Sequence, residues 1–543
     1  MEARPTRAST SRPFPTTAVL LAAVVALGLV LRLATIVAGK GGLGESVHPG
    51  YDESVYVGAA WLVGRGALPY RDFVYVFPPG FLVLLWPVTK IASIFGGPAL
   101  AVTLVRLLAA LVGAINVWLV GRIGRRWMGD AGSIVAALVY ATAPLVAQTE
   151  ASALQEPFVN VFVLLAVVVW AARPDAERTT RRLIAAGLLV GAAVSIKLVA
   201  GMFLVPLLIA IPFARPVADR VRLAVAASLP LAVTGAVIAL FVGWHAIFEQ
   251  AFMAQVLRPQ DGEGLSRVDS MLPVLRGQLQ HTGFLSNPSA WIAVLVFVTV
   301  CAGAIWKGGL PGRLWGTTGL VVMGVLMASP SYFAHYGVLI APTVALITGW
   351  VLTRAYLWLQ DRHLVAPAIV SAGAILVVAA IGFAQAATTV DELPVGVTQL
   401  GDQLNTIVHD RGRPTAGAVS KGILHTPADT CFVAVRPQPL LDANRVPSAD
   451  RHGHVLLDVY GSALVAARHG HRQPFELLSA AFPSIQREIL EQSRDCEFTV
   501  FSLRRCIAGR KDITAATQRK LIAETRPWAR NGCTMMRRRA TSK

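Results

Sequence analysis

Long apolar runs recur along most of this chain, and they limit what it can fold into. A helical run of about 20 apolar residues is long enough to cross the hydrocarbon core of a bilayer. The first run, TTAVLLAAVVALGLVLRLATIVAG, is too long for the core of a signal peptide, so we interpret it as a retained span. Only 15% of the residues are charged, whereas soluble domains carry about 25%. The sequence therefore predicts a polytopic α-helical membrane protein.

The arginine-rich loops between the apolar runs predict the orientation of the spans. Cytoplasmic loops of membrane proteins carry an excess of Lys and Arg, and this tendency accounts for most of the net charge of +18 without nucleic-acid binding. With the basic segment 1–16 in the cytoplasm, about eleven spans within 17–388 put every arginine-rich short loop on one side. The predicted spans lie near 17–38, 99–121, 131–147, 157–172, 183–197, 199–213, 223–243, 290–306, 315–330, 337–353 and 364–386.

This orientation makes residues 40–97 one large external loop. Its apolar piece, FPPGFLVLLWPVTKIASIFGG, must not cross the bilayer, because a crossing would turn the basic segment RIGRRW outward. The prolines and Lys90 in that piece suit helices that lie at the membrane surface. A second long and polar external loop is predicted at 244–289.

The chain becomes polar after residue 388. The runs CFVAVR, HVLLDVYG and CEFTVFSL are strand-like, and helix-like segments lie between them, so we expect a small external α/β domain over 389–506. The basic end, 507–543, is interpreted as a mobile tail. Cys496 and Cys506 either close a local disulfide outside the cytoplasm or remain free thiols.

Acidic residues on the predicted outer side are the first candidates for a functional site. Asp52 and Glu53 follow the first span, and neighbours on a helix point about 100° apart, so we expect separate roles for them. The alternative is a solvated helix start with Asp52 as its cap. Glu156 begins another span on the same side, directly before Pro157, and span-end carboxylates are more often simple caps.

Cationic and aromatic candidates lie on the same predicted side. Lys197 stands between two spans with almost no loop, where a cation is costly and often functional, although it can also extend to the interface. His335 and Tyr336 occupy a short external turn, either as phosphate or sugar contacts or as part of an interfacial aromatic belt. Arg258 is the candidate cation of the 244–289 loop. Carboxylates that accept a proton and cations that stabilise a leaving phosphate suit transfer from a membrane-embedded phosphate donor.

The order of these motifs resembles the GT-C superfamily of polyprenyl-phosphate-sugar glycosyltransferases, in the branch that contains protein O-mannosyltransferases and the lipid A aminoarabinose transferase. The acidic pair in that family's first external loop is matched by Asp52 and Glu53. The residues that follow the pair match as well, namely Tyr56, Ala59, Gly64, Gly66, Pro69, Tyr70 and the segment FPPG. The later motif lDpf reads Leu154-Gln155-Glu156-Pro157-Phe158, with Glu in place of Asp and Gln155 inserted. Lys197 and the element of His335, Tyr336 and Pro342 match the remaining motifs.

The resemblance implies a GT-C fold and inverting sugar transfer from a polyprenyl-phosphate donor to an acceptor hydroxyl, outside a bacterial cytoplasmic membrane. The acceptor would be a cell-envelope glycan, lipid or protein, and some relatives use a divalent cation whereas others do not. Asp52 would be the general base, and Glu53 would orient the acceptor or the base. Glu156 would bind the acceptor or the sugar, and Lys197 and His335 would contact the donor phosphate. Tyr70, Tyr336 and Arg258 complete the expected substrate-binding set, and no metal ligands are predicted.

Two other classes compete with a transferase. A transporter or flippase of a lipid-linked or small substrate would favour charges deep within spans and a repeat between the two halves, and neither is evident in the sequence. A receptor-like or structural membrane protein with an external domain would leave the acidic residues of the outer loops unexplained.

Overall fold

The computed structural model describes residues 15–39 and 51–361, apart from 65, 67, 71–74, 76, 96–97, 174–176, 213–214, 254, 256–287 and 330–331. In the C-terminal part it describes 432–434, 455–456, 464–465, 490, 494, 498–502, 515–531 and 534–539.

Helices make up nearly all of the described structure as far as residue 361. The α-helices are α1 Pro15–Gly39, α2 Tyr51–Gly64, α3 Gly80–Phe95, α4 Pro98–Thr142, α5 Pro144–Glu150, α6 Glu156–Ala166, α7 Thr180–Ile196, α8 Leu204–Ala210, α9 Val217–Val242, α10 Trp244–Ile247, α11 Pro288–Lys307, α12 Gly309–Ala328 and α13 Ala341–Asp361. Short 3-10 helices cover Leu198–Phe203 and Ala334–Leu339, and π turns cover Val167–Ala171 and Phe248–Met253.

Four of these helices, α1, α4, α9 and α12, are long and apolar enough to cross a membrane. Large apolar side chains on α1, α9 and α11 are exposed, including Val19 (66%), Leu240 (84%) and Leu295 (66%). In a soluble protein such surfaces would be unfavourable, whereas lipid covers them at no cost. The chain is therefore a multi-pass membrane protein, and its total of about eleven spans stays a prediction because 364–386 lies outside the described residues.

Helix α4 contains two of the predicted spans, 99–121 and 131–147. The two parts are separated at Gly129, whose φ of 76° is a conformation that glycine adopts at little cost. The second part ends at Thr142, earlier than predicted, because Ala143 is extended ahead of Pro144. The predicted span 199–213 is likewise divided, into the 3-10 helix Leu198–Phe203 and α8.

The first predicted external loop contains two helices, α2 and α3, that pack on each other. The start of α3 lies against the end of α7, because a Cβ atom on Gly80 would approach Ser195 Oγ to within 2.3 Å. Only glycine permits this close contact. The contact brings α3 next to Lys197, the residue that follows α7.

The described residues of the C-terminal part include six strands in one sheet. They are β1 Phe432–Ala434, β2 Val455–Leu456, β3 Leu464–Val465, β4 Phe498–Ser502, β5 Thr525–Asn531 and β6 Thr534–Arg539, in the order β3-β2-β1-β4-β6-β5. Strands β1, β2 and β4 coincide with the three runs that the sequence indicated. Strand β1 is parallel to β2 and β4, and the other pairs are antiparallel. The external position of this part and the boundaries of its domain stay predictions.

The segment 507–543, which was expected to be a mobile tail, includes regular structure among its described residues, and its boundaries stay a prediction. A helix, α14, spans Ala515–Glu524, and β6 pairs with both β4 and β5. Strand pairing is made by backbone N–H and C=O groups, which the positive charge of the segment does not reveal.

Candidate active site

Five residues that the sequence singled out come together from four separate segments. Asp52 lies in the first turn of α2, Glu156 begins α6, and Lys197 follows α7. His335 and Tyr336 lie in the 3-10 helix Ala334–Leu339. We call these five residues the acid–base cluster.

His335 lies between the two carboxylates of the acid–base cluster. Its Nε2 atom is 3.6 Å from Asp52 Oδ2 and 3.7 Å from Glu156 Oε1. The imidazole ring meets the ring of Tyr336 edge-on, at 4.7 Å between centroids, and stacks near Phe333 at 5.9 Å. Both separations are longer than a hydrogen bond, and they place the imidazole between the two carboxylates.

Glu156 and Lys197 form an ion pair inside the protein. Lys197 Nζ donates to Glu156 Oε1, and the two side chains are 9% and 1% exposed. Lys197 is extended, with φ of −147° and ψ of 117°, between α7 and the 3-10 helix that follows. Its ammonium also lies 3.6 Å from the centroid of the Tyr336 ring, a cation–π contact. Glu156 Oε2 is buried and has no hydrogen-bond partner among the described residues.

Asp52 and Glu53 face different ways, as neighbours on a helix do. The Asp52 side chain is 32% exposed, whereas Glu53 is buried. Both carboxylate oxygens of Glu53 accept from Arg106 at 2.9 Å, and the backbone N–H of Ala153 donates to Oε1 at 2.7 Å. Glu53 thus joins α2 to α4 and to the turn before α6.

Tyr56 also belongs to the site, although the sequence indicated it only as a motif residue. Burial is the largest cause that raises the pKa of its phenol well above the usual value, and the carboxylates of Asp52 and Glu156 raise it further. Its ring packs edge-on against Phe77 and Phe81. The phenol therefore stays neutral and lies in the field of both carboxylates. Its position four residues after Asp52, on the same face of α2, is the signal that could have found it.

One predicted substrate-binding residue, Tyr70, lies apart from the acid–base cluster, and a second, Arg258, is not described. Tyr70 is buried, its hydroxyl donates to the backbone oxygen of Phe77 at 2.7 Å, and its φ is 65°. Arg258, like Cys496 and Cys506, lies outside the described residues. No three His, Cys, Asp or Glu side chains within the described ranges are placed to hold a metal ion.

Another buried ion pair, which the sequence did not indicate, joins α1 to α5. Arg32 of α1 binds Glu150 of α5 through Nε at 2.8 Å and through Nη2, and both side chains are fully buried. Asn116 and Tyr140 of α4 each donate to Glu150 Oε1 at 2.8 Å. The single arginine within the first apolar run was the available signal.

An apolar groove of about 360 Å³ runs beside Lys197. Val194 of α7 and Gly201 of the following 3-10 helix, on either side of Lys197 in the chain, both line it. The other lining residues are Pro79, Val190, Leu204, Ala224, Ala227, Ser228, Leu231, Ala232, Gly235, Trp244, Ile247 and Phe252. A Cβ atom on Gly201 would meet nothing within 4 Å, so the groove is open at that point.

The fold is similar to those of two solved membrane transferases. One is ArnT from Cupriavidus metallidurans bound to undecaprenyl phosphate, with 14% identity, a TM-score of 0.57, and coverage of 97% of this chain and 99% of that chain. The other is the Archaeoglobus fulgidus oligosaccharyltransferase tethered with an acceptor peptide, with 12% identity, a TM-score of 0.53, and coverage of 97% and 74%. At these identities the likeness establishes the fold. No curated protein matches the sequence.

This chain is a helical membrane protein, and it has the GT-C fold. Residues 78–245, which include Glu156 and Lys197, match the family described as dolichyl-phosphate-mannose-protein mannosyltransferase. The match to this family covers residues 78–245 and the likeness of fold covers nearly the whole chain, and both agree with the resemblance to polyprenyl-phosphate-dependent glycosyltransferases.

The ion pair of Glu156 and Lys197 yields a stability prediction. Lys197→Met and Glu156→Gln each leave one buried charge without its partner, so each lowers the free energy of unfolding by about 3–5 kcal/mol. The double variant removes both charges and costs less than the sum of the two single variants. Thermal unfolding in detergent measures all three. Additive losses would contradict a buried pair.

Proposed function

We propose that this protein moves a sugar from a polyprenyl-phosphate donor to an acceptor hydroxyl of a cell-envelope glycan, lipid or protein. The reaction takes place on the outer face of the bacterial cytoplasmic membrane and inverts the anomeric carbon. One observation carries the proposal: a partly exposed carboxylate, Asp52, shares His335 with the buried pair of Glu156 and Lys197. The undecaprenyl phosphate bound to ArnT supports the donor class.

Asp52 is the general base of the proposed reaction. It is more exposed than Glu53 and Glu156, so an acceptor hydroxyl can reach it. Removing the proton of the attacking hydroxyl in the transition state lowers the barrier. His335, 3.6 Å away, takes part by orienting the carboxylate and sharing the proton.

Lys197 and His335 stabilise the leaving phosphate. The ammonium of Lys197 has three N–H donors, one of which binds Glu156, so the others remain for phosphate oxygens. Fixed cations at the place where negative charge develops are effective because they need no rearrangement during the reaction. Tyr336 holds Lys197 from the other side through its ring.

The bond changes balance in a single displacement. The acceptor oxygen forms a bond to the anomeric carbon while its proton passes to Asp52. The bond between that carbon and the phosphate oxygen breaks, and its electron pair leaves with polyprenyl phosphate. Glu156 Oε2, which has no partner among the described residues, accepts a hydroxyl of the sugar or the acceptor.

Glu53 does not contact the substrates in the proposed reaction, and it instead holds the helix that carries Asp52 in place. Its bonds to Arg106 and to Ala153 N–H tie the first turn of α2 to α4 and to the segment that precedes Glu156. Asp52 and Glu156 are therefore held at a fixed separation, which a transfer reaction requires.

The apolar groove beside Lys197 holds the isoprenoid chain of the donor. Its lining is almost entirely aliphatic and aromatic, and small residues such as Ala227 and Gly235 leave room for a chain. A lipid in this groove presents its phosphate to Lys197, since Val194 and Gly201 lie within four residues of it.

Asp52→Asn tests the assignment of the general base. We expect sugar transfer to fall by about 10²- to 10⁴-fold, because the amide cannot take a proton. The assay uses the purified protein in liposomes, undecaprenyl phosphate carrying radiolabelled mannose or aminoarabinose, and a bacterial envelope fraction as acceptor. Asp130→Asn, which removes an exposed carboxylate that is paired with Arg125, is the matched control and keeps full activity.

Retained transfer by Asp52→Asn would overturn the base assignment. Movement of the intact labelled lipid across the liposome membrane without covalent transfer would favour the flippase class instead.

Gly201→Leu tests the lipid groove. The new side chain fills open space, so the fold is kept, and it displaces about two methylene groups of a long donor, which raises KM about tenfold. Gly303→Leu in α11 is the matched control, because a Cβ atom there also meets nothing within 4 Å and Gly303 does not line the groove. Equal effects of the two variants on KM would contradict the assignment of the groove.

A further inference from the structure

A chain of buried polar side chains leads from the first helix to the 3-10 helix that carries His335 and Tyr336. Arg32 binds Glu150, and Tyr140 donates its hydroxyl hydrogen to Glu150 Oε1 at 2.8 Å. Asn160 Nδ2 donates to the oxygen of Tyr140 at 3.4 Å and to the backbone oxygen of Val338 at 2.9 Å. The side chains of these polar residues are at most 1% exposed.

The hydrogen bond from Asn160 to Val338 ties the 3-10 helix Ala334–Leu339 to α6. Val338 lies near the end of this 3-10 helix, and the backbone N–H of Ile340, which caps the helix, is directed to the oxygens of Gly337 and Val338. Asn160 donates to the Val338 oxygen from α6. Because Val338 is only three residues after His335, holding it also limits where the imidazole and the Tyr336 ring can lie.

Asn160 and Glu156 stand one helical turn apart on α6, so they present the same face. Glu156 contacts His335 and Lys197 by its side chain, and Asn160 holds the backbone of the segment that carries His335. One face of α6 therefore supplies the carboxylate of Glu156 and, through Asn160, also positions the segment that carries the His335 imidazole.

We propose that Asn160 is a positioning residue for sugar transfer, which holds His335 and Tyr336 against Glu156 and Lys197. Glu150 and Tyr140 fix the Asn160 amide, and Arg32 neutralises Glu150 so that this buried carboxylate can serve as an anchor. The effect on catalysis rests on the proposed function, whereas the effect on the turn does not.

The first experiment measures the turn without any substrate. Asn160→Leu keeps the size of the side chain and removes its donors, so hydrogen exchange of the amides over 334–341 becomes faster than in the unchanged protein. Exchange within α9 stays the same. Ser133→Ala is the matched control, because it removes one buried hydrogen bond, to the Gly121 oxygen, away from the turn. Unchanged exchange over 334–341 in Asn160→Leu would overturn the proposal.

The second experiment is a double-mutant cycle on transfer from radiolabelled undecaprenyl-phosphate mannose or aminoarabinose. Asn160→Leu lowers kcat by about 10- to 100-fold, since small displacements of a reacting group have effects of this size. In the background of His335→Ala the same change lowers kcat by less than about threefold, because the group that it positions is gone. Additive losses in the cycle would contradict positioning and leave only a stability role.

Two further variants keep the test decisive. If Asn160→Leu fails to insert into the membrane, two variants of nearly unchanged shape replace it. Asn160→Asp removes the amide donor to Val338, and Tyr140→Phe removes the hydroxyl that links Asn160 to Glu150. Faster hydrogen exchange over 334–341 is expected in both. If the unchanged protein transfers no sugar, the proposed function fails, and hydrogen exchange alone decides whether Asn160 holds the turn.

Discussion

The buried ion pair of Glu156 and Lys197 is the interaction on which the rest of the site depends. Two opposite charges placed in an apolar interior attract each other strongly, and the loss of either leaves an uncompensated charge. The pair fixes the start of α6 against the end of α7, and Tyr336 covers Lys197 with its ring. His335 and, through it, Asp52 then take their places around this pair. The site thus combines a stable inner pair with an accessible outer acid.

Two further buried pairs surround the cluster and serve its geometry. Arg106 holds Glu53, and with it the helix that carries Asp52. Glu150 holds Arg32 and the polar side chains that reach the turn below His335. Each pair joins segments far apart in the chain, so the positions of the side chains in the acid–base cluster follow from tertiary contacts rather than from the loops that carry them. Helices α2 and α3 pack on each other and on the long apolar helix α4, and together they form one continuous support.

The sequence predicted the membrane class and singled out all five residues of the acid–base cluster, because polar and charged side chains at the ends of apolar runs stand out. It could not predict that Lys197 binds Glu156, since the pairing depends on how α6 and α7 meet. Arg32 was not singled out because one arginine does not change the apolar character of a span, and its partner Glu150 is 118 residues away in the chain. The strands within 507–543 were not foreseen for a related reason: composition describes side chains, whereas strand pairing is decided by the backbone. Tyr70, chosen from a motif, donates to the backbone oxygen of Phe77, and its part in substrate binding stays a prediction.

The proposed reaction is covalent transfer of a sugar with inversion at the anomeric carbon. The most direct measurement uses the unchanged protein in liposomes with undecaprenyl-phosphate mannose and undecaprenyl-phosphate aminoarabinose, each labelled with carbon-13 at the anomeric position. Nuclear magnetic resonance of the product then gives its configuration. The account predicts a new glycosidic bond with the configuration opposite to that of the donor. Retained configuration, or no new bond with either donor, would contradict it.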